Sequence, residues 1–84
     1  MEELRKKIDD CDKKIIEALI DRLEAAKEIG KFKKANNLPI VDKKREEKVF
    51  EKVRNLGQGK ISSDVIEKIY RIIIDAAVDL QSKN

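Results

Sequence analysis

A few polar side chains interrupt the apolar faces of predicted helices, and these residues are the best placed to do chemistry. Arg22 follows Ile15 by seven residues and precedes Ala26 by four, so it falls on an apolar helical stripe. Lys33 comes eleven residues after Arg22, a rotation of roughly 1100°, which puts both cations on nearly the same side of one helix. A buried cation is costly unless it is paired or binds an anion.

Two later segments carry polar residues at similar positions. Glu46 lies three residues before Val49, on the apolar face of a second helix, with Arg45 beside it. Gln81 lies four residues after Ala77, near the apolar edge of a third helix. Glu46 and Gln81 are therefore expected to face the interior rather than the solvent.

These interior polar residues allow two interpretations. In the first, Arg22 or Lys33 forms an internal salt bridge with Glu46. Gln81 is then merely frayed at the end of its helix. In the second, they line a polar pocket inside a helical bundle, and its cations bind a small, multiply negative ligand.

A long amphipathic helix is predicted from about Glu2 to Asn36, continuing through Gly30 and stopping before Pro39. Cys11 lies on its apolar stripe, so we expect a buried small hydrophobe rather than a nucleophile. The stripe repeats at spacings of three and four residues or their multiples: Leu4, Ile8, Cys11, Ile15, Leu19, Ala26, Ile29, Phe32 and Ala35.

Two shorter helices follow. Asp42 is the expected N-cap of the second, which ends at the Gly-Gln-Gly of residues 57–59. Ser62 or Ser63 caps the third, where Asp64 and Glu67 have capping-box spacing. No segment alternates with a period of two for long enough to form a strand. The predicted fold class is all-α, with three helices in one domain over residues 1–84.

The composition excludes several classes of protein. The 84 residues include 20 Lys or Arg, 17 Asp or Glu, one Cys and no His. Without His there is no imidazole base or Ser-His-Asp triad, and one Cys makes no disulfide framework or multi-Cys zinc site. No apolar run suits a membrane span or signal peptide, which predicts a cytoplasmic protein with no membrane partner. Interspersed charges argue against nucleic-acid binding.

The length of the first helix predicts a homodimer. Thirty-five helical residues span roughly 50 Å, whereas a compact globule of this size is about 30 Å across. The apolar stripe runs along most of that helix, and the two shorter helices cannot easily cover all of it. We therefore expect an intertwined helical-bundle homodimer in which the long helices pack together.

The ordered set of residues carries a family resemblance over essentially the whole chain. Its pieces are Leu4-Arg5-x-x-Ile8-Asp9, Asp12…Ile15-Ile16…Leu19…Arg22, Gly30-Lys31-x-Lys33, Pro39-Ile40-x-Asp42-x-x-Arg45-Glu46 and Ile73-Ile74…Gln81. No piece is specific alone, but the set at this spacing resembles the all-helical, AroQ-type chorismate mutases. The resemblance implies the conversion of chorismate to prephenate, a unimolecular Claisen rearrangement that needs no nucleophile, metal or cofactor.

The resemblance also implies roles for the cations. Arg22, Lys33 and Arg45 would bind the carboxylates of chorismate, and Arg5 would do so from the partner subunit. Independently, Arg5 and Arg22 are 17 residues apart, and that spacing corresponds to roughly 25 Å of straight helix. Arg5 and Arg22 of one chain therefore cannot both reach the same small molecule. An antiparallel dimer would bring Arg5 of one chain toward Arg22 of the other.

The remaining implied roles concern the ether oxygen and the ring hydroxyl. Lys33 and Gln81 would hydrogen-bond the ether oxygen of the breaking bond. Glu46 and the backbone near Asp42 would hold the ring hydroxyl. One position departs from the family: Ala77 stands where a Ser is common, which removes one hydroxyl contact to a carboxylate.

Two other functions remain open at this point. An isochorismate-pyruvate lyase on the same scaffold would use the same carboxylates, but that branch lacks the Glu found here at position 46. The other is a non-enzymatic helical dimerisation module, or one associated with nucleic acid. It would leave four residues unexplained except as salt bridges: Arg22, Lys33, Glu46 and Gln81.

Overall fold

The computed structural model describes residues 1–83, which form three helices and no strand. Helix α1 spans Glu2–Ala35, α2 spans Lys43–Leu56 and α3 spans Ser63–Lys83. The all-α prediction is confirmed, as is the continuation of α1 through Gly30. The described chain measures 52 × 23 × 14 Å, and its longest dimension is close to the ~51 Å expected for a 34-residue helix.

The helix ends follow local chemistry. Asn36 is the C-cap of α1, and Asn37 adopts a left-handed φ of 55°, which turns the chain. The Leu38 amide then donates to the Lys33 carbonyl at 2.8 Å, which folds the following loop back against the end of α1. The loop that leads to α2 is therefore held close to Lys33.

Side-chain caps start both shorter helices. The Arg45 amide donates to Asp42 Oδ1 at 3.0 Å, and the Val65 amide donates to Ser62 Oγ at 3.2 Å. Asp42 is thus the N-cap predicted for α2, and Ser62 rather than Ser63 caps α3. The predicted capping box does not form, because Asp64 lies within the first turn of α3 rather than at its N-cap. The Glu67 carboxylate instead accepts from Arg54 at 2.7 Å.

Loss of either cap is expected to cost about 1 kcal/mol of the free energy of unfolding. Ser62→Ala and Asp42→Ala each leave one amide of the first helical turn without its acceptor. Urea denaturation of the two variants measures the loss, with Ser62→Thr as the control that keeps a hydroxyl acceptor. An unchanged free energy of unfolding in Ser62→Ala would mean that the cap contributes nothing to the fold.

The small core lies where α3 packs on both α1 and α2. Its buried apolar residues are Ala26, Val53, Ile66, Ile74 and Ala77. Near the end of α2, helices α2 and α3 approach so closely that a Cβ at Gly57 would lie 2.6 Å from Ile66 Cδ1. Helix α3 thus packs against both other helices, and a cavity lies where the three helices meet.

The amino-terminal half of α1 extends away from this core, and its apolar stripe is exposed. Leu4, Ile8 and Ile15 are 60%, 59% and 55% exposed in the single chain. Cys11, expected to be buried, lies on the same stripe and is exposed too. The radius of gyration, 15.3 Å, exceeds the roughly 12 Å of a compact domain of this length. Within residues 1–83, neither α2 nor α3 covers this half of α1.

Candidate active site

A cavity of about 300 Å³ lies between α1, α2 and α3. It brings together Arg22, Lys33, Asp42, Arg45, Glu46 and Gln81, which are six of the seven residues expected from the sequence to form a site. Apolar and small side chains line the rest: Ala25, Ala26, Ile29, Ile40, Val49, Ile74, Ala77 and Val78. A few polar groups set in apolar walls are typical of a small-molecule site.

Helix α1 supplies two half-buried cations to this cavity, Arg22 and Lys33. The Arg22 guanidinium carbon lies 5.9 Å from the centre of the Tyr70 ring, within the range of a cation–π contact. Lys33 Nζ donates to the Ile40 carbonyl oxygen at 2.8 Å. An ammonium has three N–H donors, so this bond orients Lys33 and leaves two donors for a ligand.

The first turn of α2 supplies Asp42, Arg45 and Glu46. Both the side chain and the carbonyl oxygen of Asp42 accept amide hydrogens from this turn, those of Arg45 and Glu46, each at 3.0 Å. The cap therefore fixes the turn that carries the two charged side chains. Asp42 and Arg45 are exposed, whereas the Glu46 side chain is only 13% exposed.

Glu46 pairs with Arg71 of α3, which sequence reasoning did not identify. Arg71 Nη2 donates to Glu46 Oε1 at 3.0 Å, and this hydrogen bond raises the pKa of the Arg71 guanidinium above its ordinary value. The two residues are 25 positions apart on different helices. No local sequence pattern predicts such a pair, because the pair depends on how α2 and α3 pack.

Helix α3 contributes Gln81, which is 7% exposed. Within residues 1–83 its side-chain amide makes no hydrogen bond, and the amide keeps some access to solvent. Gln81 therefore lines the cavity with free donor and acceptor capacity. The interpretation that it is frayed at the helix end is wrong.

The interpretation that Arg22 or Lys33 forms an internal salt bridge with Glu46 is wrong. Glu46 pairs with Arg71, and among the ion pairs of residues 1–83 none joins Arg22, Lys33 or Arg45 to a carboxylate. The cavity thus holds three cations without acidic partners, and they share a small, partly apolar space. Such an arrangement favours a ligand with more than one negative charge.

Arg5 is not part of this cavity. It lies near the start of α1, where its side chain is 69% exposed and makes a loose 3.8 Å ion pair with Glu2. Its spacing from Arg22 along the helix keeps the two residues far apart within one chain.

A larger hollow of about 870 Å³ lies on the outer face of α2 and α3. Two of its cations are satisfied: Arg54 pairs with Glu67 at 2.7 Å, and Arg71 pairs with Glu46 at 3.0 Å. It therefore lacks the group of unpaired cations found in the inner cavity, and we assign the candidate site to the latter.

Across residues 1–83, no cluster of three or more His, Cys, Asp or Glu side chains has an arrangement that suits a metal ion. None of the helices in that range combines the length and the hydropathy that a membrane span requires.

Comparison with known proteins gives a consistent result. The family model of chorismate mutase type II matches residues 4–82. The chain is 32% identical over 82 residues to a chorismate mutase of Methanocaldococcus jannaschii, covering 96% of this chain and 83% of that protein. It is 39% identical, over an alignment of 87 positions, to a bifunctional chorismate mutase/prephenate dehydratase of Aquifex aeolicus, and the alignment covers 99% of this chain.

The bifunctional relatives are much longer than this chain. The match spans 24% of the Aquifex aeolicus protein. A protein of the same description from Escherichia coli is 33% identical over 76 residues, which is 89% of this chain and 20% of that protein. The similarity to these relatives is therefore confined to one part of each.

Proposed function

Because this chain belongs to the chorismate mutase type II family, we propose that it catalyses the rearrangement of chorismate to prephenate. The single observation that carries the proposal is the inner cavity, where Arg22, Lys33 and Arg45 have no acidic partner and Gln81 has a free amide. Chorismate is a small dicarboxylate with an ether oxygen, so it matches the charge and the hydrogen-bonding capacity of this space.

The first contribution to the rate is positioning. Arg22 and Arg45 bind the two carboxylates and hold the enolpyruvyl arm over the ring, in the conformation from which the new C–C bond forms. Guanidinium groups suit this task because their planar N–H fork matches a carboxylate. Holding the reacting ends together removes the entropic cost of finding that conformation in solution.

The second contribution is electrostatic. In this rearrangement the C–O bond breaks as the C–C bond forms, in one cyclic shift of electrons, and negative charge grows on the ether oxygen. Lys33 and Gln81 donate hydrogen bonds to that oxygen, so they stabilise the transition state more than the bound substrate. No proton is transferred, and the step requires neither a metal nor a cofactor.

Two residues at the start of α2 hold the ring hydroxyl. The ring hydroxyl donates a hydrogen bond to the Glu46 carboxylate, and the backbone near Asp42 provides a second contact. The support for this placement is that Glu46 lines the cavity with a largely buried side chain. The same glutamate favours the mutase over the isochorismate-pyruvate lyase, whose branch lacks it.

The active form is proposed to be an intertwined, antiparallel homodimer. The exposed stripe on α1, with Leu4, Ile8 and Ile15 more than half exposed, needs an apolar partner. A second copy of α1 supplies one, and it brings Arg5 of the partner subunit to the cavity as a further carboxylate ligand. The unpaired thiol of Cys11 suits the cytoplasmic location expected from the sequence.

The test is product-resolved turnover by the purified chain in the presence of EDTA. Chorismate and isochorismate are supplied separately, and prephenate and pyruvate are quantified. The proposal predicts prephenate from chorismate. Pyruvate from isochorismate with chorismate untouched would establish the lyase instead. Turnover and binding of neither would leave a helical dimerisation module.

Ala77→Ser is expected to improve substrate binding. Ala77 lines the cavity and is 8% exposed, so a hydroxyl there faces the bound substrate. One added hydrogen bond to a carboxylate is worth about 1–2 kcal/mol, which lowers KM about five- to thirty-fold with little change in kcat. Steady-state kinetics measure this, and Ala76→Ser on the exposed face of α3 is the control. A fall in kcat without a fall in KM would contradict the contact.

A further inference from the structure

Arg71 stands outside the lining of the inner cavity, yet it contacts a residue inside it. Its Nη2 lies 3.0 Å from Glu46 Oε1, while its own side chain remains 45% exposed. We propose that Arg71 is a positioning residue that acts through Glu46, holding the carboxylate away from the cavity cations so that they remain free for substrate. The inference rests on the proposed function, because it concerns how that site is kept open.

Glu46 has two carboxylate oxygens, and its hydrogen bond with Arg71 uses one of them, Oε1. Within residues 1–83 no residue other than Arg71 forms an ion pair or a side-chain hydrogen bond with Glu46. Since Glu46 lines the cavity, Oε2 is the acceptor available to the ring hydroxyl. One carboxylate therefore carries a structural contact on one oxygen and a substrate contact on the other.

Arg71 is itself held in place by two further contacts. Its Nε lies 3.3 Å from Asp75 Oδ1, one helical turn along α3, and its guanidinium carbon lies 5.3 Å from the centre of the Phe50 ring. A planar guanidinium that meets a carboxylate on each side and an aromatic ring is strongly oriented. Glu46 therefore pairs with an oriented cation rather than a freely rotating one.

Removing Arg71 changes what Glu46 does. A largely buried carboxylate without a partner is unfavourable, so Glu46 would turn to the cations that share its cavity. Those are Lys33, Arg22 and Arg45, which line the same cavity. The resulting internal salt bridge would neutralise the groups that bind the substrate carboxylates, and chorismate would have to displace Glu46.

The test is a double-mutant cycle on chorismate turnover. Arg71→Gln is expected to lower kcat/KM about ten-fold, mainly through a higher KM, which lies within the usual coupling between contacting charged residues. In the Glu46→Gln background the same substitution is expected to change kcat/KM by less than about two-fold, because a neutral amide does not pair with the cations. Arg71→Lys should recover part of the loss, since it keeps the charge but not the fork.

The control is Arg54→Gln, which removes a second ion pair between α2 and α3, Arg54 to Glu67. If Arg71 merely fastens the two helices, Arg54→Gln and Arg71→Gln will impair turnover alike. That result, or an equal loss in both Glu46 backgrounds, would overturn the inference while the wild type remains active. A wild type that does not convert chorismate would overturn the proposed function itself.

Discussion

Replacing Lys33 with alanine is expected to lower kcat by at least about 10²–10³ while leaving the helical fold intact. Removal of one preorganised donor to a developing oxyanion typically costs about 3–4 kcal/mol, and here the donor also carries a full charge. Lys33 is already oriented by its 2.8 Å hydrogen bond to the Ile40 carbonyl, so its ammonium needs little rearrangement as charge grows on the ether oxygen.

The matched control for this substitution is Lys34→Ala. Lys34 is the next residue on α1, and it is exposed and absent from the cavity lining. Its replacement should leave kcat within about two-fold of wild type, as for most surface substitutions. Helicity and thermal unfolding of both variants show whether the fold is preserved. A Lys33→Ala enzyme that keeps its wild-type kcat would exclude the electrostatic role.

The second large effect concerns Arg5. Arg5→Ala and Lys33→Ala are each expected to be nearly inactive alone, yet a mixture of the two should recover about a quarter of wild-type activity. In an antiparallel dimer, a mixed pair has one site with an intact Lys33 and an intact Arg5 from the other subunit. Random subunit exchange makes half of the dimers mixed, and each has one working site of two.

The control mixture combines Arg22→Ala with Lys33→Ala. Both residues line the cavity of one chain, so no pairing of these subunits restores a complete site. Subunits are exchanged by partial denaturation and refolding, and turnover is measured afterwards. Recovery in the control mixture, or none in the Arg5 mixture, would contradict the proposal that Arg5 acts across a dimer interface.

Much of the fold could be predicted from the sequence because its helices have clear periods and boundaries. The apolar spacing continues past Gly30, and α1 does as well. Asp42 caps α2 as predicted, with its side chain on the Arg45 amide. The capping box at Asp64 and Glu67 was wrong, because Ser62 caps α3 and Asp64 therefore lies within the helix. Three adjacent polar residues could each be the cap, and their spacing to Glu67 does not decide which one is.

The candidate site could be predicted in part for a similar reason. Arg22, Lys33 and Gln81 interrupt apolar stripes, and an interruption is visible without any tertiary information. The partner of Glu46 was not visible in this way. Arg71 has the position of an ordinary exposed residue, and its pairing depends on the packing of α2 against α3. We propose that this one contact decides between a salt-bridged interior and an open cavity.

The proposed mechanism is tested most directly by a crystal structure of the chain with a bicyclic ether dicarboxylate that mimics the transition state. We expect the analogue in the cavity between α1, α2 and α3, with its ether oxygen hydrogen-bonded to Lys33 and Gln81. Its carboxylates should contact Arg22 and Arg45 of one chain and Arg5 of a second. An analogue bound elsewhere, or bound in the cavity with Lys33 turned away from the ether oxygen, would contradict it.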